Sequence, residues 1–469
     1  MIQKIYLGVV FLALSALAIA CSSDDEGGSK GSNTGREPDD REPGVRDDEP
    51  APSSNAGGTD PLATLPDDKA LPIVFVHGFS GSAQQFTSQA MRFVANGFPA
   101  DRLRAYEHDG AGMGVADFIP GLDAMVDEVR EKFGTDQVFL IGHSRGTSVS
   151  STYLSVPERA EKVAKYISLD GGGCANISVP CASPAQSTNM RPGQTHPLPG
   201  QKHVEVATSK ESFAVQWEFL FGEAPEVLEI VKQKAPVEIS GRAVNVPANT
   251  GREGTKLEVW ELADESGMRA EDEPLAKFDI GADGAWGPVT VDPEKRYELV
   301  LKDGDYQHHF YEQPFLRSSE FIRLRSGPRD STSRMNTNVG DHHAAVTVSR
   351  MREWTQTDTL EVGEESESGD AEPKNVLSEA TGESRIAIYL HDDAATPGES
   401  TLQLLPWFPQ QPFQTGIDIY LPSSDEPDGT ITLTNTPRGD ADNLQRLYVA
   451  NWASTDHTIS ALFSDFPRD

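Results

Sequence analysis

Apolar residues fall into three different rhythms along this chain. The first is the short continuous run. Leu71-Pro72-Ile73-Val74-Phe75-Val76, Gln137 to Ile141 and Lys165 to Leu169 each read as a strand buried on both faces. The second is helical. Leu122, Met125, Val126, Val129 and Phe133 recur at i, i+3, i+4, i+7 and i+11, and Gly134 stands where a left-handed stop is expected. Further helices are predicted at about Ser88 to Asn96 and from the glycine after Ser144 to about Ser155, closed by Pro157. Strands and helices that alternate in this order require right-handed crossovers and a parallel sheet. A last strand-like alternation, Lys202-His203-Val204-Glu205-Val206, precedes a capping box of Thr208 and Glu211, which opens a helix carrying Phe213, Trp217, Leu220 and Phe221.

The third rhythm starts near Val237 and has period two. Val237-Glu238-Ile239-Ser240, Leu257-Glu258-Val259-Trp260 and Tyr297-Glu298-Leu299-Val300-Leu301 are short alternating segments between turn residues, as in an antiparallel sandwich or barrel. A second β-rich section follows, with an acidic stretch, Glu361 to Glu372, expected to be a loop. The predicted organisation is an α/β section with a parallel sheet at 67–236, followed by an all-β region with a sandwich-like part at 237–328 and a second part at 329–469.

The N-terminus fits none of these rhythms. After Lys4, residues 5–20 are uncharged and mostly apolar, too short a run to span a bilayer comfortably, and they end in Ala18-Ile19-Ala20 before Cys21. The segment resembles a bacterial lipoprotein signal, with cleavage after residue 20 and lipidation of Cys21. Ala18 stands where such signals more often carry leucine. An exported protein anchored in the cell or outer membrane is therefore expected, with ordinary secretion as the alternative. Residues 21–66 are nearly devoid of apolar side chains and are expected to be a disordered acidic linker. Acidic residues outnumber basic ones 73 to 40, a formal charge of −33, which excludes a nucleic-acid partner by repulsion of phosphate and disfavours anionic substrates. The two cysteines besides Cys21, Cys174 and Cys181, lie close together in a loop rich in Gly, Pro and Ser, and outside the cytoplasm they should pair.

Chemistry concentrates at the ends of the continuous strands. Gly142-His143-Ser144-Arg145-Gly146 has the form of a nucleophile elbow, in which two glycines let the chain turn sharply from strand to helix and leave the serine hydroxyl exposed. By chance the pattern occurs in about one chain in ten of this length, so the apolar strand before it and the helix after it carry the inference. A serine hydroxyl needs an imidazole to take its proton and a carboxylate to orient that imidazole. The elbow order places the acid between serine and histidine. Asp170, at the end of an apolar strand, fits better than Glu158 or Glu161, which lie in a solvated stretch. His203 fits better as base than His196, which sits in an irregular segment. The backbone N–H groups of Arg145 and Phe79 are the expected oxyanion donors. His77 and His143 are expected to shape the site. His308-His309 and Asp341-His342-His343 lack a third ligand at a telling spacing, so no metal and no cofactor is expected.

These residues also carry a resemblance. His77-Gly78-Phe79-Ser80-Gly81-Ser82-Ala83, Gln85-Phe86, Ser88-Gln89, Met91-Arg92-Phe93, Ala95-Asn96-Gly97 and Pro99-Ala100 look like the start of an archaeal carboxylesterase-type lipase with a C-terminal β-barrel domain. So do the elbow, Leu169-Asp170-Gly171, His203-Val204 followed by Phe213-Ala214-Val215, and Ser464-Asp465-Phe466 near the end. The resemblance implies hydrolysis of acyl esters or lipids, with the β region helping to bind lipid or complete the acyl site. It departs at one place: about a dozen residues, Glu107 to Phe118, stand where that lipase carries a helical lid, which puts long-chain preference and interfacial activation in question. Two other readings remain open: a peptidase or amidase on the same fold, and a surface lipoprotein whose β sections bind lipid or polysaccharide.

Overall fold

The computed structural model describes residues 65–66, 69–329, 337–365, 373–377, 381, 384–408, 413–424 and 426–468. The expected signal, Cys21 and the linker up to residue 64 lie outside the described residues. Leu65, assigned to the linker, is already tied down, its N–H donating to Gly97 O at 2.9 Å.

The continuous apolar runs form the predicted parallel sheet. Its strands are β1 (Ile73–Val76), β2 (Leu103–Tyr106), β3 (Val138–His143), β4 (Val163–Leu169) and the short β5 (Cys181–Ala182), in the spatial order β2-β1-β3-β4-β5. Every pairing is parallel. Helix α1 (Thr87–Ala95) covers one face, and α2 (Val115–Phe133) with α3 (Arg145–Leu154) covers the other, while a single helical turn, α4 (Pro157–Ala160), leads into β4. The amphipathic helix thus begins seven residues before Leu122, and Phe118 and Ile119 extend its buried stripe. Two further short strands, β6 (Pro184–Gln186) and β7 (His196–Leu198), precede α5 (Lys210–Phe221). The cap of α5 is Ser209, whose hydroxyl accepts the Ser212 N–H. Thr208 instead donates to Glu205 O, and Glu211 accepts from Gln201, so the expected capping box does not form. His203 lies in a turn before the 3-10 segment Glu205–Ala207, not in a strand.

The β region contains β8 (Val237–Asn245), β9 (Lys256–Glu261), β10 (Ala276–Asp279), β11 (Ala285–Val291), β12 (Tyr297–Asp303), β13 (Tyr306–Glu312), β14 (Ser319–Ser326), β15 (Val346–Trp354) and β16 (Thr359–Glu365). It continues with β17 (Lys374–Asn375), β18 (Arg385–His391), β19 (Gln414–Asp418), β20 (Thr430–Thr436), β21 (Gln445–Ala450) and β22 (His457–Phe463). The acidic stretch expected as a loop is strand in its first part, since β16 extends to Glu365; the remainder is not described.

One eight-stranded sheet, β10-β9-β12-β13-β22-β15-β18-β19, runs through both expected β sections, because the last strand inserts between β13 and β15. It is mixed, not antiparallel: β22 is parallel to both neighbours, and β19 to β18. A three-stranded sheet, β11-β8-β14, packs on one end of it around Val259, Leu299, Trp286 and Leu324. A four-stranded sheet, β17-β16-β20-β21, packs on the other end through Val348, Ile388, Leu433 and Ile459. Period two turns Thr347, Ser349, Tyr389, Ser460 and Leu462 to the face opposite Val348, Ile388 and Ile459, a stretch that the four-stranded sheet leaves uncovered. The α/β section closes over it.

Candidate active site

The elbow depends on close backbone approach. A Cβ on Gly146 would lie 2.1 Å from Val76 O, and one on Gly142 would lie 2.8 Å from Gly146 O, so neither position accepts a side chain. Between them Ser144 adopts φ 53° and ψ −122°, a strained conformation for a residue with a side chain. The strain lifts Oγ off the end of β3 at the N-terminus of α3, where the helix dipole favours negative charge. Asp170, at the end of the neighbouring β4, also has positive φ, 41°. Gly171 beside it abuts Thr147, since a Cβ there would lie 2.0 Å from Thr147 Oγ1.

These turns bring Ser144, Asp170 and His203 together. His203 Nε2 is 2.9 Å from Ser144 Oγ, and His203 Nδ1 is 2.6 Å from Asp170 Oδ2. Asp170 is buried and its other oxygen accepts the Gln186 N–H at 3.0 Å, with the Gln186 amide adding a bond to Oδ2. With Nδ1–H donated to the carboxylate, Nε2 is the ring's acceptor and faces the serine hydroxyl. This arrangement can take a proton from Ser144 and stabilise the resulting imidazolium. His196, the competing candidate, is exposed and bonds to Thr195 Oγ1.

The expected oxyanion donors flank the same point. Arg145 is the first residue of α3, so its N–H has no intrahelical acceptor. Gly78 packs so tightly that a Cβ on it would be 2.9 Å from Ser144 Cβ, which brings the following Phe79 to the nucleophile. The turn at 78–81 is held by bonds from Ser80 N–H to Gly110 O and from Gly81 N–H to Gly78 O. The Arg145 side chain reaches Gly112 O and Asp109 O, so the eight residues between β2 and α2 are strapped down against the elbow, with no inserted helices.

His77 and His143 support this geometry as neutral rings. His77 donates from Nδ1 to Gly78 O and accepts the His108 N–H at Nε2, and the two rings stack 3.9 Å apart. Burial, then the neighbouring His108, hold His77 well below its ordinary pKa. His143 donates from Nε2 to His203 O at 2.9 Å and accepts from the Gln85 amide at Nδ1. Burial, then the charge on His203, lower it to about 3. His143 thus fixes the main chain of His203, the candidate base.

The β region adds residues that sequence reasoning missed. Glu353, fully buried on β15, accepts the backbone N–H of both Val204 and Glu205, across 149 and 148 residues. Burial pushes its carboxyl up, while the Val204 N–H and the His203 imidazole pull it back. Glu205 is in turn gripped by Arg352 and Arg438. Phe413 stacks over His203 at 6.2 Å. The turn after β8 contributes Asn249, which donates to Gly81 O and His108 O. No local signal marks Glu353, since a charged residue in Arg350-Met351-Arg352-Glu353 reads as the solvated side of a strand.

Ser144 opens into a cavity of about 510 Å³ between the two regions. Its floor is the uncovered sheet face, including Phe310, Thr347, Ser349, Tyr389, Ser460 and Leu462, and its wall includes Phe79, Arg323 and Arg325. His308 lies there too, bonded to Ser326 and Ser460. His309 lies on the opposite face, against Glu298 and His457. Cys174 and Cys181 are joined, which ties the loop after Asp170 to β5.

Residues 72–218 match the family model for the alpha/beta hydrolase fold, residues 235–328 that of a lipase C-terminal domain, and residues 332–467 a further C-terminal domain. Among solved structures, an extracellular alpha/beta-hydrolase from a Paenibacillus species is 23% identical over 22% of this chain and 40% of its own, with a TM-score of 0.17. A metagenome-derived lipolytic enzyme is 20% identical over 24% and 46%, with a TM-score of 0.19. An epoxide hydrolase from Vigna radiata is 20% identical over 24% and 34%, with a TM-score of 0.17. The matches span less than half the length of each of these proteins. The family match, the parallel sheet and its elbow establish the first section as an α/β-hydrolase fold.

Proposed function

We propose that this protein is a serine hydrolase that cleaves carboxylic esters through an acyl-enzyme on Ser144, as its resemblance to carboxylesterase-type lipases implies. The observation that carries the reading is the unbroken relay from Ser144 Oγ through His203 to Asp170 at the end of a cavity. His203 Nε2 removes the hydroxyl proton as Oγ attacks the acyl carbon. The backbone N–H groups of Phe79 and Arg145 bind the oxyanion, and the imidazolium then protonates the leaving alcohol. A water enters, loses its proton to His203, and releases the acid and free Ser144. No step calls for a cofactor. The sheet face of the β region takes the place of a lid, and the Cys21 signal would place the enzyme on a membrane by a lipid anchor.

The test is hydrolysis of p-nitrophenyl esters from acetate to palmitate by the wild type, Ser144→Ala, Asp170→Asn and His203→Ala, together with labelling by a fluorophosphonate. Labelling confined to Ser144, and turnover lost by about 10³-fold or more in the Ser144 and His203 variants, are expected. A long-chain optimum makes the enzyme a lipase and a short-chain optimum an esterase. Turnover of matched anilides in preference to esters would make it an amidase. A wild type that is neither labelled nor active overturns the reading.

A further inference from the structure

The cavity wall carries a charge of the sign opposite to that of the chain. Arg325 on β14 lines the cavity beside Ser80, next in sequence to the expected oxyanion donor Phe79, and its Nη2 donates to Ser80 O at 2.9 Å. Its Nε is buried without a hydrogen-bond partner. Among the described residues Arg325 makes no ion pair, although the protein has 73 acidic residues to supply one. Other arginines do pair: Arg323 with Glu107, Arg252 with Asp303 and Arg269 with Glu298. Glu107, which attracts Arg325 at longer range, has thus committed one oxygen to Arg323, and its other faces His77 at 3.8 Å.

Among the described residues that line the cavity, a countercharge is scarce. Glu312 is the sole carboxylate among the cavity-lining residues. Among the described residues it forms no ion pair, and burial raises its carboxyl to about 7. Tyr389, across the floor from Arg325, is held as a neutral phenol by burial. Burying a guanidinium without an anion is costly, and its fork of N–H donors matches a carboxylate or phosphate in a way that a neutral acyl chain does not.

We propose that Arg325 receives a second, anionic group of the substrate, so that the preferred substrates are esters carrying a carboxylate or phosphate within the cavity's reach of the scissile carbonyl. This rests on the serine-hydrolase reading and names the substrate class of the same site. It also reverses the expectation, drawn from net charge, that anionic substrates are disfavoured: the bulk charge is spread over the surface, whereas the field in the cavity comes from the nearest unpaired group.

The full chain would be assayed at pH 6.5 on p-nitrophenyl half-esters of succinate, glutarate and adipate, each beside a neutral p-nitrophenyl ester of equal length, and on p-nitrophenyl esters with a terminal phosphate. The wild type is expected to favour the charged member of at least one pair by about tenfold in kcat/KM. Arg325→Gln is expected to lower that ratio by about tenfold, and Arg325→Lys by less, because it keeps the charge and loses the fork. The carboxylate and phosphate arms identify the anion. If Arg325→Gln does not fold, competitive inhibition of the wild type by free dicarboxylates against the matched diamides gives the same ratio. Ser144 labelling with a charged-to-neutral ratio of one or less throughout overturns this proposal alone. Absence of labelling overturns the hydrolase reading beneath it.

Discussion

The α/β section and the β region hold the same centre by different means. In the first, Ser144 and Asp170 come from strand ends and His203 from a turn, and the geometry is written into the backbone: two glycines at van der Waals limits, two residues at positive φ, and neighbouring strands that deliver Ser144 and Asp170 side by side. In the second, the contributions are side chains from one sheet face and its edges: Glu353 under the His203 turn, Phe413 over its ring, Arg325 in the wall. The difference teaches a division of labour. The candidate reacting groups sit where local backbone rules are strict, and the shape and charge of the cavity sit where side chains can vary without disturbing the sheet beneath.

That comparison can be broken or sharpened. The largest effect is expected inside the α/β section: Asp170→Asn keeps the bonding geometry but removes the charge that supports the imidazolium, and kcat should fall by about 10³ to 10⁴-fold with the fold intact by circular dichroism. A loss of less than about tenfold would mean that the acid lies elsewhere. Glu353→Gln comes next. The amide can accept one of the two N–H groups but presents donors to the other, an expected cost of about 1–3 kcal/mol, read as about a tenfold fall in kcat with little change in KM. A change in KM alone would move Glu353 from positioning the base to shaping the cavity.

Acid should weaken the centre through His143. Its folded pKa of about 3 lies below the unfolded value of about 6.5, so the unfolded chain takes up a proton that the folded one refuses, and stability present above pH 6.5 is lost progressively as pH falls toward 3. His457, held at about 4 by burial and by His309, acts in the same direction. Glu312 acts oppositely, because its raised carboxyl contributes stability that is lost as pH rises through about 7. The His143 share is therefore read as the Tm gap between wild type and His143→Gln, which should narrow by several °C from pH 6.5 to 4; a gap that widens contradicts the assignment. The smallest effect is expected from Cys174→Ser. Opening so short a loop costs about 2.5 kcal/mol in the chain-entropy model, a Tm lower by about 3 °C in differential scanning calorimetry. A larger drop accompanied by loss of kcat would show that the loop also holds Asp170.

Much of the α/β section was legible in the sequence because its rules are local. A continuous apolar run with a glycine-flanked serine after it has few conformations available, and Asp170 could be chosen by its place at the end of an apolar strand. Where local signals competed, the sequence misled: Thr208 and Glu211 have the form of a capping box, but Ser209, one residue on, takes the cap and Thr208 turns back to Glu205. His203 was chosen for an alternation that the structure replaces with a turn. Period two likewise marked the strands of the β region but not their partners, since nothing in β22 says that it inserts between β13 and β15. The sequence by itself determined the continuous apolar strands, the amphipathic helix, the elbow and the three residues that meet at it. Only the tertiary structure decided that a sheet face more than 160 residues downstream closes over Ser144, that Glu353 holds the turn carrying His203, and that Arg325 stands in the wall with no ion pair among the described residues. The physical reason is that backbone strain and periodicity act between neighbours in the chain, whereas burial, desolvation and ion pairing depend on which distant surfaces the fold brings into contact.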